Sequence, residues 1–215
     1  VLFSILILCH MKGLGLFYKH IYCLAVYGLI AIMLGACGSD PHNVDLSNVS
    51  VEYQSMRLDR DMFRASSDDL KALNEELSEK YGSFYRQYLS QVIGVGMPTD
   101  PMVSTHLRQF VTDPNWQETQ DQIDEVFGDM DSYDRQIERA FRYYHFHFPK
   151  DTIPAVIYYN SGFNVGVYPT DQYLGVGLEW FLGTENPVIQ RLAIDEFPQY
   201  IKAKLRPKYL VNNAV

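Results

Sequence analysis

The chain has 215 residues, with 18 basic and 26 acidic side chains and a net charge of −8. So acidic a body has little with which to neutralise a phosphate backbone, which argues against a nucleic-acid binder. Its three cysteines, Cys9, Cys23 and Cys37, are too few and too far forward to staple a small disulfide-built domain.

The N-terminal stretch, residues 1–10, is apolar, carries no Lys, Arg, Asp or Glu and precedes Met11. We read it as lying upstream of the true start, with a second hydrophobic segment as the competing account. Lys12 and Lys19 then lead into an apolar run from Ile21 to Leu34, which closes on Leu34-Gly35-Ala36-Cys37. Charged, apolar and small-residue regions in that order make a secretory signal peptide. The run is shorter than the roughly 20 residues that span a bilayer comfortably. Leu three positions before a cysteine, with two small residues between, looks like a bacterial lipobox. The expectation is cleavage between Ala36 and Cys37, with the Cys37 thiol carrying a diacylglycerol. Residues 1–36 are then a signal peptide and residues 37–50 a lipidated cysteine and tether. Residues 51–215 form one α+β domain. The tether, Gly38-Ser39-Asp40-Pro41-His42-Asn43, is small and polar. Cleavage leaves about 180 residues, enough for one core, with no cysteine besides the lipidated one. A single nearby acid, Asp40, favours a periplasm-facing anchor over surface export.

Val49, Val51 and Tyr53 alternate as a short strand or extended arm, and helical spacing begins near Arg57. Ser66, followed three residues on by Asp69, predicts a helix cap. Leu70, Leu73, Leu77 and Tyr81 share the face of the helix that follows. Gly82 allows a break before a second amphipathic helix carrying Phe84, Tyr88, Val92 and Ile93, which ends at Gly94 and Gly96. Asp100-Pro101 and Asp113-Pro114 each predict a capped helix start. A helix from about Ser132 to His147 turns Ile137, Ala140, Phe141 and Tyr144 inward and Arg135, Glu138, Arg139 and Arg142 outward. The period then changes. Ile153 to Tyr159, Phe163 to Val167, and Leu174 to Leu178 predict a small antiparallel meander over about 153–178, with one face buried. Asn186-Pro187 opens the first of the closing helices. The end at Val215 reads as a truncation.

Candidate chemistry is sparse. His145 and His147 sit two apart where a helix ends, a spacing that diverges on a helix, and they read as a structural pair. No H-E-x-x-H occurs. Asp195-Glu196 reads as a solvated helix face, and Glu179, at a strand end, as a salt bridge on the sheet rim. Ser161 lacks a G-x-S-x-G context, and the glycines between Gly162 and Gly183 read as turns and close packing.

Two runs carry a resemblance. Val156-Ile157-Tyr158-Tyr159-Asn160-Ser161-Gly162-Phe163 is followed by Tyr173-Leu174-Gly175-Val176-Gly177-Leu178-Glu179-Trp180-Phe181-Leu182-Gly183. With Pro198-Gln199-Tyr200-Ile201, Leu205-Arg206-Pro207 and the lipobox, they resemble the gliding-motility lipoprotein GldB family across nearly all of the mature chain. The resemblance implies a cell-envelope lipoprotein associated with the gliding machinery and the linked secretion system. It implies membrane attachment through lipid, envelope proteins as partners and no cofactor. That family is distantly similar to zincin-like proteases, but Leu192 to Pro198 lacks both histidines at the matching place. The expectation is therefore a non-enzymatic assembly component. One alternative is a zincin-like hydrolase with ligands outside this chain or at His145 and His147. Another is an envelope ligand-binding lipoprotein with an apolar cleft lined by Tyr158, Phe163 and Trp180.

Overall fold

Two five-residue segments, Ala-Val-Ile-Tyr-Tyr and Tyr-Leu-Gly-Val-Gly, set the architecture. In the computed structural model they are the strands β2 (Ala155–Tyr159) and β4 (Tyr173–Gly177), and in each every residue after the first is buried. The structure describes residues 44–64 and 69–215, and the fold is that of the unit Leu46–Val215. The signal peptide, the cleavage at Ala36 and Cys37, and the cap at Ser66 lie outside the described residues.

A strand buried on both faces is a near-continuous apolar run, and such strands belong to parallel sheets covered on two sides. That is the arrangement found. Val156, Tyr158, Leu174 and Val176 face a core built with Ile123, Ile137 and Phe141. Ile157 and Tyr159 face the other way, into a core with Leu77, Phe84 and Leu107. The sheet is thus the middle layer between two sets of helices.

Its strand order corrects the antiparallel meander. β2 runs parallel to β4, with Ala155 opposite Tyr173 and Tyr159 opposite Gly177. β1 (Ser55–Arg57) adds in parallel beyond β2, and β3 (Val167–Pro169) lies antiparallel on the outer side of β4. The cause is local. Gly162 and Phe163 both have φ of 64°, a left-handed pair that cannot continue an extended strand. Phe163 and Val165 therefore lie in a loop that carries the chain past the end of β4, and the middle strand forms late and short.

The helices follow their caps. Helix α1 is Leu58–Arg64. Helix α2, Leu70–Gln87, starts where the Asp69 carboxylate accepts the Ala72 N–H at 3.0 Å, and it kinks at the expected Gly82 (φ 53°). A π-helical turn, Tyr88–Val92, follows. Helix α3, Val103–Thr112, begins later than predicted. Asp100 does not cap it, because its carboxylate instead accepts the Met97 N–H at 2.6 Å and closes the preceding turn. Asp113 caps α4, Pro114–Val126, by accepting the Asn115 N–H at 2.8 Å.

Helix α5, Asp131–His147, buries Ile137 and Phe141, but Tyr144 is 40% exposed. Arg142 turns inward in its place, donating to the Val49 carbonyl at 2.8 Å and to that of Leu46. This part of the helix meets the backbone of residues 46–49, whose carbonyls suit a guanidinium better than a phenol. Helix α6, Pro187–Arg191, is capped by Asn186, and α7, Gln199–Lys202, and α8, Leu210–Ala214, close the chain. Among the described residues no helix is long and apolar enough to cross a membrane.

Candidate functional site

Because β1, β2 and β4 run in one direction, their carboxyl ends come together at one edge of the sheet. That edge is where sheets of this kind place ligands. Polar residues follow each strand there: Asp59 after β1, Asn160 and Ser161 after β2, and Glu179 after β4, in the 3₁₀ turn Leu178–Phe181. All four are buried.

They form a connected set. The Asp59 carboxylate accepts Arg57 Nε at 2.8 Å, Arg57 Nη2 at 2.6 Å and Gln120 Nε2 at 3.1 Å. Gln120 Oε1 accepts Asn160 Nδ2 at 3.4 Å, and the Asn160 carbonyl accepts the Tyr88 hydroxyl at 2.5 Å. Glu179 Oε1 takes the Ser161 N–H at 2.8 Å, the Phe163 N–H at 3.3 Å and the Ser161 hydroxyl. Its other oxygen, Oε2, has no partner among the described residues. Burial pushes the Glu179 carboxyl from the ordinary 4.5 up to about 7, although the bonds from Ser161 and Phe163 pull the other way. Burial also drives the Tyr88 phenol well up, and Glu179 adds to the effect.

The carboxylate holds an unusual backbone. A left-handed phenylalanine is strained by about 1–3 kcal/mol, and Glu179 fixes it by gathering the N–H groups on either side of Gly162. Gly162 itself leaves room for Trp116, since a Cβ there would come within 3.1 Å of the indole.

Above this turn opens a cleft of about 370 Å³, lined by Trp116, Phe163, Trp180 and Phe197, with Glu196 also in its wall. Three of those rings pack on one another, with centroids 6.0 Å (Phe163–Trp180), 5.7 Å (Trp180–Phe197) and 5.9 Å (Phe163–Phe197) apart. The result is a rigid aromatic wall. A larger hollow of about 910 Å³, lined by Lys71, Glu75, Arg86 and Asp100, lies between α2 and the loop before α3. The smaller cleft is the better candidate, because its wall includes Gly162, Phe163 and Trp180, the chain neighbours of Ser161 and Glu179, and the larger hollow includes no residue of that turn.

The structure moves several expected residues. Glu179 is not a salt bridge on the rim: it is fully buried, and among the described residues no cation takes its carboxylate. The chain turns inward directly after β4 because Leu178 and Phe181 are core residues, and Glu179 goes with them. Asp195 and Glu196 lie in turns between α6 and α7 rather than on a helix, as does the whole segment where a zincin would carry its metal-binding helix. His145 is half-buried and His147 exposed. Among the described residues no three His, Cys, Asp or Glu side chains converge as metal ligands. Phe163 and Trp180 do line the cleft, but Tyr158 donates to Asp134 at 2.7 Å instead. Trp116, Phe197, Asp59 and Gln120 were not anticipated. The one signal available was the placement of Asn160-Ser161 and Glu179 directly after two apolar runs.

A family model described as Gliding motility protein GldB matches residues 39–215. No curated protein and no solved structure matches the chain.

Proposed function

The chain belongs to the gliding motility protein GldB family, and from that premise we propose that it acts by contact, as a lipid-anchored assembly component of the gliding and linked secretion apparatus. In this reading residues 1–36 are removed, Cys37 carries the lipid, and the folded body faces the periplasm. Envelope proteins dock into the aromatic cleft through an apolar or aromatic side chain.

The observation that carries the reading is how the strand-end groups are used. Ser161 and Glu179, the only nucleophile–carboxylate pair at the candidate site among the described residues, are fully buried and bonded to each other and to the turn. A reacting group has to reach its substrate. Here the polar groups hold a wall, and the aromatic rings, which supply large contact area with little loss of freedom, face the opening.

The test is complementation in a gliding host whose own copy has been deleted. Phe197→Ser should abolish motility and the crosslinks to envelope proteins, with the protein still folded and still carrying lipid on Cys37. Glu179→Gln, which keeps an acceptor for the turn, should leave motility intact. Loss of motility in a folded Glu179→Gln protein would point to chemistry at the carboxyl and defeat the proposal. Cys37→Ser should release the protein from the membrane fraction.

A further inference from the structure

Of the four exposed aromatic residues among those described, Tyr200 stands apart at 68% and the other three gather at one place. Tyr144, Phe146 and Phe148 are 40%, 47% and 54% exposed and crowd the last turn of α5 and the residue beyond it. Tyr144 and Phe148 stack with centroids 4.9 Å apart, and Phe146 packs edge-on against His147. Phe146, two residues from each, points to a different side of the helix end, so the rings surround that end, and large apolar rings left exposed together mark an interaction surface.

Two observations say what covers it. The first is charge. In a chain of net charge −8, residues 139–150 hold Arg139, Arg142, Lys150, His145 and His147 and no carboxylate. Carboxylates border this window on both sides, Glu138 before it and Asp151 after it, the latter accepting the Tyr144 hydroxyl at 2.6 Å. Arg139 and Lys150 are exposed, and Arg139 lies 5.8 Å from the centre of the Tyr143 ring. Aromatic rings beside cations suit the boundary between lipid headgroups and acyl chains, where rings sit at headgroup depth and cations meet phosphates. The second is reach. Arg142 pins the carbonyls of Leu46 and Val49 to this same helix. Cys37 is nine residues before Leu46, so a lipid there is tied within roughly 30 Å of that point.

We propose that the Tyr144–Lys150 end of α5 is a membrane-contact surface, which lies on the phospholipid headgroup layer and holds the body against the bilayer that anchors it. The surface rests on the Cys37 anchor for its proximity to lipid. In consequence the body does not swing freely on its tether, and α5 faces the bilayer.

The test uses the full-length lipoprotein purified from its host and inserted into vesicles of phosphatidylethanolamine and phosphatidylglycerol, in which part of the lipid carries brominated acyl chains. Phe146→Trp places a reporter in the patch. Met102→Trp, 54% exposed at the start of α3 in the opposite helical layer, is the control. The emission added by Phe146→Trp should lose most of its intensity to the brominated lipid, and that added by Met102→Trp should not. Mass analysis of the Cys37 peptide reads the anchor separately. Absence of lipid there sinks the anchor, while quenching still decides the patch. Equal or absent quenching at both positions overturns the inference. So does a crosslink from position 146 to another protein, or to a second copy, in place of quenching.

Discussion

Glu179 offers the sharpest test of the site. Glu179→Gln keeps one oxygen where the Ser161 and Phe163 N–H groups and the Ser161 hydroxyl converge, and it removes the charge. In the folded protein the carboxyl holds its proton up to about pH 7, against an ordinary 4.5 for an exposed one. Between those values the folded state keeps a proton that the unfolded state has released. Stability from this group is therefore fully present below pH 4.5, falls as pH rises through that window, and is flat above pH 7. At 1.36 kcal/mol per pH unit the loss is roughly 3 kcal/mol. Wild type and Glu179→Gln should thus be close in stability at pH 4, and the variant should lead by roughly 3 kcal/mol at pH 8. Urea unfolding followed by tryptophan fluorescence across pH 4–8 gives the difference directly, because other titrating groups contribute equally to both proteins. The phenols facing this carboxyl, Tyr88 and Tyr159, are both driven up by burial and do not titrate in that range. Parallel curves for the two proteins would refute the argument.

Gly162→Ala puts a methyl group against the Trp116 indole in a left-handed residue. It should cost about 1–3 kcal/mol and shift the tryptophan emission, measurable in one unfolding series; an unchanged spectrum would mean that Trp116 does not rest on the turn. Asp59→Ala strips the buried partner from Arg57 and Gln120 and should cost about 3–5 kcal/mol, read as a drop in thermal midpoint, whereas a loss under 1 kcal/mol would show that the guanidinium finds solvent instead.

The parts of the fold that could be read from the sequence were those fixed by neighbouring residues. Asp113-Pro114, Asn186-Pro187, the break at Gly82 and the glycines ending the π turn all act within a few positions, and each appears where expected. The sheet order could not be read the same way. Ala155–Tyr159 is apolar throughout, and such a run signals burial on both faces without saying which strand lies beside it. The alternation at Phe163, Val165 and Val167 pointed to a strand, and only the left-handed pair at Gly162 and Phe163 shows why the loop persists. The cleft was half legible. Phe163 and Trp180 stand in the signature run, but Trp116 and Phe197 come from distant segments that only the folded chain brings together.

The two costliest features of the site explain each other. A carboxylate with one oxygen unpartnered, removed from water, disfavours folding at neutral pH. A left-handed phenylalanine does so as well. Placed apart, each would be a defect. Placed together, the carboxylate supplies the acceptor that the backbone of the turn needs, and the turn supplies donors that no apolar neighbour could offer. A plain hairpin at 160–166 would avoid both costs, but it would carry the Phe163 ring to one face of an extended strand, away from Trp180 and Phe197. What the costly arrangement secures is the position of that ring in the cleft wall. A surface of fixed aromatic shape is what docking by contact needs, because a wall set before binding leaves less freedom to lose on association.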